Sequence, residues 1–164
     1  MELVNEERRE RRLEEKIDAV RDRFEYVLID CPPSLSLLTV NALVAADGYL
    51  LPIQCEYYAL EGVSELLATV ERVRESLNPE LSLFGVIATM WDERTNLSRQ
   101  VLDEIRGHFG ASVFENVVPR SVRLAEAPSY GKPILLYDVK SKGAEAYLGV
   151  ARELLRRGPR RPAP

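Results

Sequence analysis

The sequence predicts an α/β fold, a doubly wound and mostly parallel sheet with helices on both faces. Three observations predict it. Short runs that are apolar on both faces alternate with longer segments whose apolar residues recur every three or four positions. A run without a polar face suits a strand covered by helices on each side, as in parallel sheets. The chain of 164 residues, 46% of them hydrophobic, has the size and composition of about one ordinary globular domain.

Taken in order, residues 1–25 interleave acids and bases around Leu13, Ile17, Val20 and Phe24, the spacing of one amphipathic helix. Tyr26 to Asp30 reads as a buried parallel strand closed by a carboxylate. Cys31-Pro32-Pro33 is a loop, because proline lacks an amide hydrogen and pushes its predecessor out of helical geometry. A helix follows from Ser34 to about Ala46, then a strand from Gly48 to Ile53. Leu60, Val63, Leu67, Val70, Val73 and Leu77 mark a long helix closed by Asn78-Pro79.

Leu83 to Met90 is the next strand, and Leu97, Val101, Leu102, Ile105 and Phe109 face one side of a third long helix. Ser112 to Val118 is expected as a strand, Val122 to Ala127 as a short helical piece, Pro133 to Tyr137 as a short strand, and Ser141 to Arg157 as the last helix. Residues 1–157 are expected to form a single domain, and 158–164, with three prolines and two arginines, a frayed tail.

Charge narrows the function classes. Lys and Arg number 22 against 26 Asp and Glu, a formal net charge of -4, so a polyanion must be met by a local patch. A strongly basic nucleic-acid module is excluded. No window offers the roughly 18 apolar residues of a membrane span, and Met1 to Arg12 is too charged for a secretory signal. The expected compartment is the cytosol. Cys31 and Cys55 form no CxxC or Cys/His cluster, so both read as reduced, buried thiols.

In open α/β sheets ligands gather where strands end, which points to Asp30, Gln54 to Tyr58, Thr89 to Asp92 and Pro119 to Arg123. An acid ending a buried strand can hold magnesium through its water shell, and it can equally be a helix cap or a solvated loop residue. His108, near a helix end, suits the helix dipole better than catalysis, since no Ser or Cys pairs with it. Tyr57-Tyr58 reads as packing, and Arg156, Arg157, Arg160 and Arg161 as an exposed solubilising cluster.

Five separated blocks carry a resemblance: Asp30-Cys31-Pro32-Pro33-Ser34 and on to Leu43; Pro52-Ile53-Gln54-Cys55-Glu56-Tyr57-Tyr58 and on to Gly62; Thr89-Met90-Trp91-Asp92-Glu93-Arg94-Thr95-Asn96-Leu97; Val118-Pro119-Arg120-Ser121-Val122-Arg123 and on to Ser129; and Lys140-Ser141-Lys142-Gly143-Ala144-Glu145. In this order they resemble the ParA/Soj family, deviant Walker A ATPases of the P-loop class that partition bacterial chromosomes and plasmids. The resemblance implies ATP and magnesium binding, dimerisation with nucleotide, DNA binding without sequence preference, and a ParB-type partner that stimulates hydrolysis. It implies a cytoplasmic, nucleoid-associated protein with no membrane partner.

Carried over residue by residue, Asp30 is the Walker B acid near magnesium, reached through water. Met90, Pro119 and Arg120 border the adenine, and Arg94 and Arg123 contact DNA, where a guanidinium can make two parallel charged hydrogen bonds to phosphate. No residue is assigned as a certain catalyst. One departure is plain: no glycine-rich loop followed by Lys and Ser or Thr occurs, and the single Gly-Lys pair, Gly131-Lys132, precedes Pro133. The resemblance therefore leads one to expect a carboxyl-terminal fragment, short of roughly a hundred residues or about one mononucleotide-binding half. ATPase competence of such a chain alone is not expected. Two other readings stand beside this one: a non-catalytic truncated module that contacts a full-length relative, and a MinD-like cell-division ATPase. The Pro/Arg terminus, lacking an amphipathic apolar helix, argues against the second.

Overall fold

Apolar residues three and four apart give a helix one face to bury, and the long helices here follow that rule. The structure, a computed structural model, describes residues 7–32 and 36–158. These fall into two compact units. The first holds the described residues up to Tyr49 together with Ser64–Ser82, and the second holds Leu50–Val63 and the described residues from Leu83 onward. No helix among the described residues is long and apolar enough to cross a membrane.

The first unit contains α1 (Arg12–Asp18), α2 (Leu37–Ala45) and most of α3 (Ala59–Ser76). Its core joins Leu43 and Val44 of α2 to Val70 and Val73 of α3 and to Leu81. Two asparagines satisfy backbone groups that would otherwise be left over. Buried Asn41 accepts from the Leu13 amide at 3.1 Å and donates to the carbonyls of Arg9 (2.8 Å) and Leu37 (2.9 Å). Asn78 donates to the carbonyls of Leu43, Val44 and Ala46 at 2.8–3.2 Å and so closes the end of α2. A buried carbonyl or amide left unpaired costs about 1–3 kcal/mol, so these contacts hold the unit in register.

Two expectations fail in this unit. Among its described residues, the helix expected over 1–25 is an α-helix only from Arg12 to Asp18, with 3-10 turns at Arg9–Arg11 and Arg21–Arg23. None of its residues is buried, so no core extends it, and Arg21 turns toward Asp18 and Asp47, each at 3.2 Å. Tyr26 to Asp30 has no regular secondary structure and joins no ladder among the described residues, and Val27 and Leu28 are 44% and 79% exposed. Apolar composition favours extended backbone, but only a neighbouring strand makes it a buried one. Cys31 is accordingly exposed, whereas Cys55 is buried as expected. Pro33 to Ser34 lies outside the described residues.

The second unit is organised by parallel pairing. β1 (Gly48–Gln54) and β2 (Ser82–Thr89) run together, with the Cys55 amide on the Thr89 carbonyl at 2.8 Å just past their ends. On the other side of β2 the chain from Val113 to Arg120 makes parallel bridges at Val86–Val113 and Trp91–Pro119. Phe114, Val118 and Val150 are buried together, against Leu50, Phe84 and Ile87. Around them lie α4 (Asn96–Phe109), the short α5 (Val122–Glu126) and α6 (Ile134–Tyr137), and α7 (Lys142–Arg157).

The strand expected over Ser112–Val118 is interrupted. Between its two bridges the amides of Glu115 and Asn116 donate to the buried carboxylate of Glu153, at 2.9 and 3.1 Å, instead of to a strand. Pro133 to Tyr137 is a helical turn, with the Tyr137 amide on the Pro133 carbonyl at 3.0 Å and Asp138 on Ile134 at 2.8 Å. Periodicity cannot tell so short an apolar run from a helix, and a proline at its start suits a helix entry. Arg157 is no solubilising charge. It donates to the carbonyls of Ala111, Ser112 and Val113, pairs with Glu153 at 2.7 Å and lies 4.3 Å from the centre of the Phe114 ring. Arg156 is exposed, and Arg160, Arg161 and the rest of the expected tail beyond Gly158 lie outside the described residues.

Candidate functional site

The carboxyl ends of β1, β2 and the Val113–Val118 segment release three loops within the second unit. Residues Cys55, Glu56, Tyr57, Tyr58, Met90 and Arg120 line an open hollow of about 630 Å³ between them. Asp92, Thr95, Leu97 and Ser98 complete its wall.

Backbone geometry fixes these loops. Met90 takes a left-handed φ of 54°, a conformation that costs a non-glycine residue about 1–2 kcal/mol. Pairing on both sides holds it there: the Thr89 carbonyl accepts from Cys55 at 2.8 Å, and Trp91 donates to Val118 at 3.2 Å and accepts from Arg120 at 2.9 Å. Pro119 bridges Trp91, so Pro119 and Arg120 are placed by the same ladder.

A buried hydroxyl joins the first two loops. Ser98 Oγ donates to the Cys55 carbonyl at 3.2 Å and accepts from the Asp92 amide at 3.3 Å. Its own amide donates to Thr95 Oγ1 at 3.3 Å, which caps α4. Ser98 carries no signal of its own in the sequence, because any residue at that position would offer its amide to the Thr95 cap.

Charges alternate around the hollow. Arg120 pairs with Glu56, and Arg94 forks onto Asp92 through Nε (2.9 Å) and Nη2 (2.7 Å). Those hydrogen bonds from Arg94, side chain first and then amide, hold the Asp92 carboxyl down at about 2. Burial pushes the Cys55 thiol up to about 11, so it is a neutral thiol at neutral pH and no nucleophile. Tyr57 and Tyr58 are not packing residues: they are 75% and 72% exposed and meet edge to face with centres 5.0 Å apart.

Of the predicted residues, Met90, Pro119 and Arg120 come together at these loops. Arg123 is exposed on α5, paired with Glu126 at 3.1 Å and 3.6 Å from Asp138, while Tyr137 donates to the same Glu126 at 3.0 Å. Asp30 belongs to the first unit and is exposed at the end of the Tyr26–Asp30 stretch. His108 sits in the last turn of α4, edge to face with Phe109 at 4.6 Å. Gly131-Lys132 is a tight turn whose amides bond to Pro128 and Ala127, so they cradle no phosphate.

The residues fit a nucleobase better than a metal. Flat tyrosine faces, a polarizable methionine and a planar guanidinium border the hollow, which suits a purine. For magnesium the described residues offer no group of three or more His, Cys, Asp or Glu. Asp30 is one exposed carboxylate, and magnesium held by a single carboxylate also needs phosphate oxygens.

Comparison with known proteins gives a consistent result. The AAA_31 family model, an AAA domain, matches residues 1–83. The chromosome partitioning protein ParA of Myxococcus xanthus is 55% identical over 157 residues, 96% of this chain and 56% of the relative. The sporulation initiation inhibitor protein Soj of Bacillus subtilis is 53% identical, over 96% of this chain and 62% of the relative. The chain thus spans about three fifths of the length of these curated relatives. Among solved structures, cobyrinic acid a,c-diamide synthase from Mycobacterium smegmatis with bound ADP and magnesium superposes with a TM-score of 0.76 at 36% identity, covering 94% of this chain and 56% of that one. The cell division ATPase MinD of Pyrococcus furiosus, at 22% identity, a TM-score of 0.72 and coverage of 91% and 59%, shares the fold. The fold class is therefore the P-loop NTPase-like α/β class, a parallel sheet with helices on both sides.

Proposed function

The chain belongs to the ParA/Soj family of AAA domains, and from that premise we propose that it serves chromosome or plasmid partitioning as part of an ATP-dependent DNA-binding switch. Its loops past β1, β2 and Val118 supply the adenine-facing side of an ATP site. The observation that supports this is the convergence of Met90, Pro119 and Arg120 on one paired set of strand ends.

In this reading nucleotide joins two copies, or one copy and a longer relative, and the joined form binds DNA of any sequence through Arg94 and Arg123. A ParB-type protein stimulates hydrolysis, and the complex works on the nucleoid in the cytoplasm. The bound nucleotide supplies a phosphoanhydride whose cleavage drives the switch. The residues of this chain would border the base: Met90, Pro119 and Arg120 at the strand ends, with the exposed Tyr57 and Tyr58 on the same hollow. No hydrolytic step is assigned to Asp30, because the described residues do not by themselves make a magnesium site.

Calorimetric titration with ATP, with and without magnesium, tests the assignment. The expected result is weak binding, near millimolar, indifferent to magnesium and weakened further by Arg120→Ala. No detectable binding, or binding that Arg120→Ala leaves unchanged, would overturn it.

A further inference from the structure

Arg94 and Asp92 form an unequal pair. The Arg94 side chain is 81% exposed, whereas that of Asp92 is 16% exposed. Asp92 is also fixed through its backbone: its amide donates to Ser98 Oγ at 3.3 Å, and its carbonyl accepts from the Thr95 amide at 3.1 Å and Thr95 Oγ1 at 3.2 Å. Its carboxylate takes the Arg94 amide at 3.1 Å besides the Nε and Nη2 of the guanidinium. The carboxylate is the anchored partner, and the arginine is the one free to swing.

A guanidinium presents two parallel N–H groups along an edge, and one such edge here is occupied by Asp92. While the pair lasts, a DNA phosphate meets an ion pair of no net charge. We propose that Asp92 masks Arg94, withholding it from phosphate until a polyanion close enough to compete takes the guanidinium over. The proposal rests on the reading of Arg94 as a DNA contact and adds its regulation. Exposed ion pairs contribute little net stability, so an incoming phosphate can displace the carboxylate. Acid cannot do so under physiological conditions, because Arg94 keeps the Asp92 carboxyl at about 2. Release therefore depends on anion competition. When Arg94 leaves, Asp92 is left with Arg120 as its other nearby cation, whose charge already acts on it.

The test uses the full chain with ATP well above its millimolar dissociation constant and a 24-base-pair duplex titrated at several low salt concentrations, with Asp92→Asn, Arg94→Ala, the double variant and Arg123→Ala beside the wild type. Asp92→Asn keeps an oxygen for the Arg94 amide and removes the charge. It should bind about tenfold tighter at low salt and steepen the slope of log affinity against log salt by about one unit. Arg94→Ala should abolish that gain. In parallel, the Arg94 Nε–H proton resonance should be slow to exchange in the wild type and fast in Asp92→Asn.

If Asp92→Asn binds no tighter, or tightens binding equally in the Arg94→Ala background, the mask is overturned. If Arg94→Ala and Arg123→Ala both leave DNA affinity unchanged, or no variant binds, the DNA reading itself fails and the mask with it. A slow Nε–H beside an unchanged affinity refutes only the mask.

Discussion

Two apolar stretches of much the same sequence character meet opposite fates. Gly48–Gln54 pairs with β2 and buries Leu51 and Ile53 to 4% and 2% exposure, while Tyr26 to Asp30 joins no ladder among the described residues and leaves Leu28 79% exposed. Composition is shared, and a partner strand makes only one of them part of a core. Val113–Pro119 stands between them, since it is paired at its two ends and held in the middle by a side chain from α7.

The sharpest way to break this comparison is to truncate both stretches. Ile53→Ala should destabilise the chain by about 2–5 kcal/mol in chemical denaturation, and Leu28→Ala should change it by less than about 0.5 kcal/mol. Equal losses would mean that Tyr26 to Asp30 is buried in solution.

Next in size is the side chain that replaces a strand. Burial alone would raise the Glu153 carboxyl, but the Asn116 side chain, the two amides and Arg157 outweigh it and hold it below its usual range. Because the folded value is depressed, its contribution is present above the unfolded value of about 4.3 and is lost as pH falls through the folded one. Glu153→Gln should therefore cost about 1–3 kcal/mol at pH 7. Denaturation curves at successive pH values should show wild type and variant converging below about pH 4.

The smallest effect on stability is expected from Leu28→Lys, yet that variant asks most directly what an unpaired apolar edge does. Exposed extended backbone with apolar side chains pairs with other chains. Sedimentation of the wild type should become faster with concentration, and the Leu28→Lys chain should sediment as a monomer throughout. A wild type that stays monomeric would show that this segment is not an adhesive edge.

The same contrast explains what was legible in the sequence. Long helices such as α3, α4 and α7 declare themselves because one side must be apolar over several turns. β1 and β2 do so because both of their faces are apolar. Met90, Pro119 and Arg120 could be placed because strand ends in a parallel sheet collect ligands. Glu153 and Ser98 could not. Glu153 with Arg157 four residues on looks like any surface pair, and nothing local announces that the carboxylate faces two amides far back in the chain. The fork of Arg94 onto Asp92 is likewise a property of a turn, not of a pattern.

The hold that Glu153 takes on Glu115 and Asn116 has a consequence in time. The carboxylate lies 38 and 37 residues after the amides it accepts from. During synthesis at about 5–20 residues per second those amides leave the peptidyl-transferase centre roughly 2–8 s before their acceptor is made. Through that interval the Val113–Pro119 segment has its ladder ends available and its middle unsatisfied. The newborn chain thus cannot lock the segment that feeds the third loop until α7 has been made.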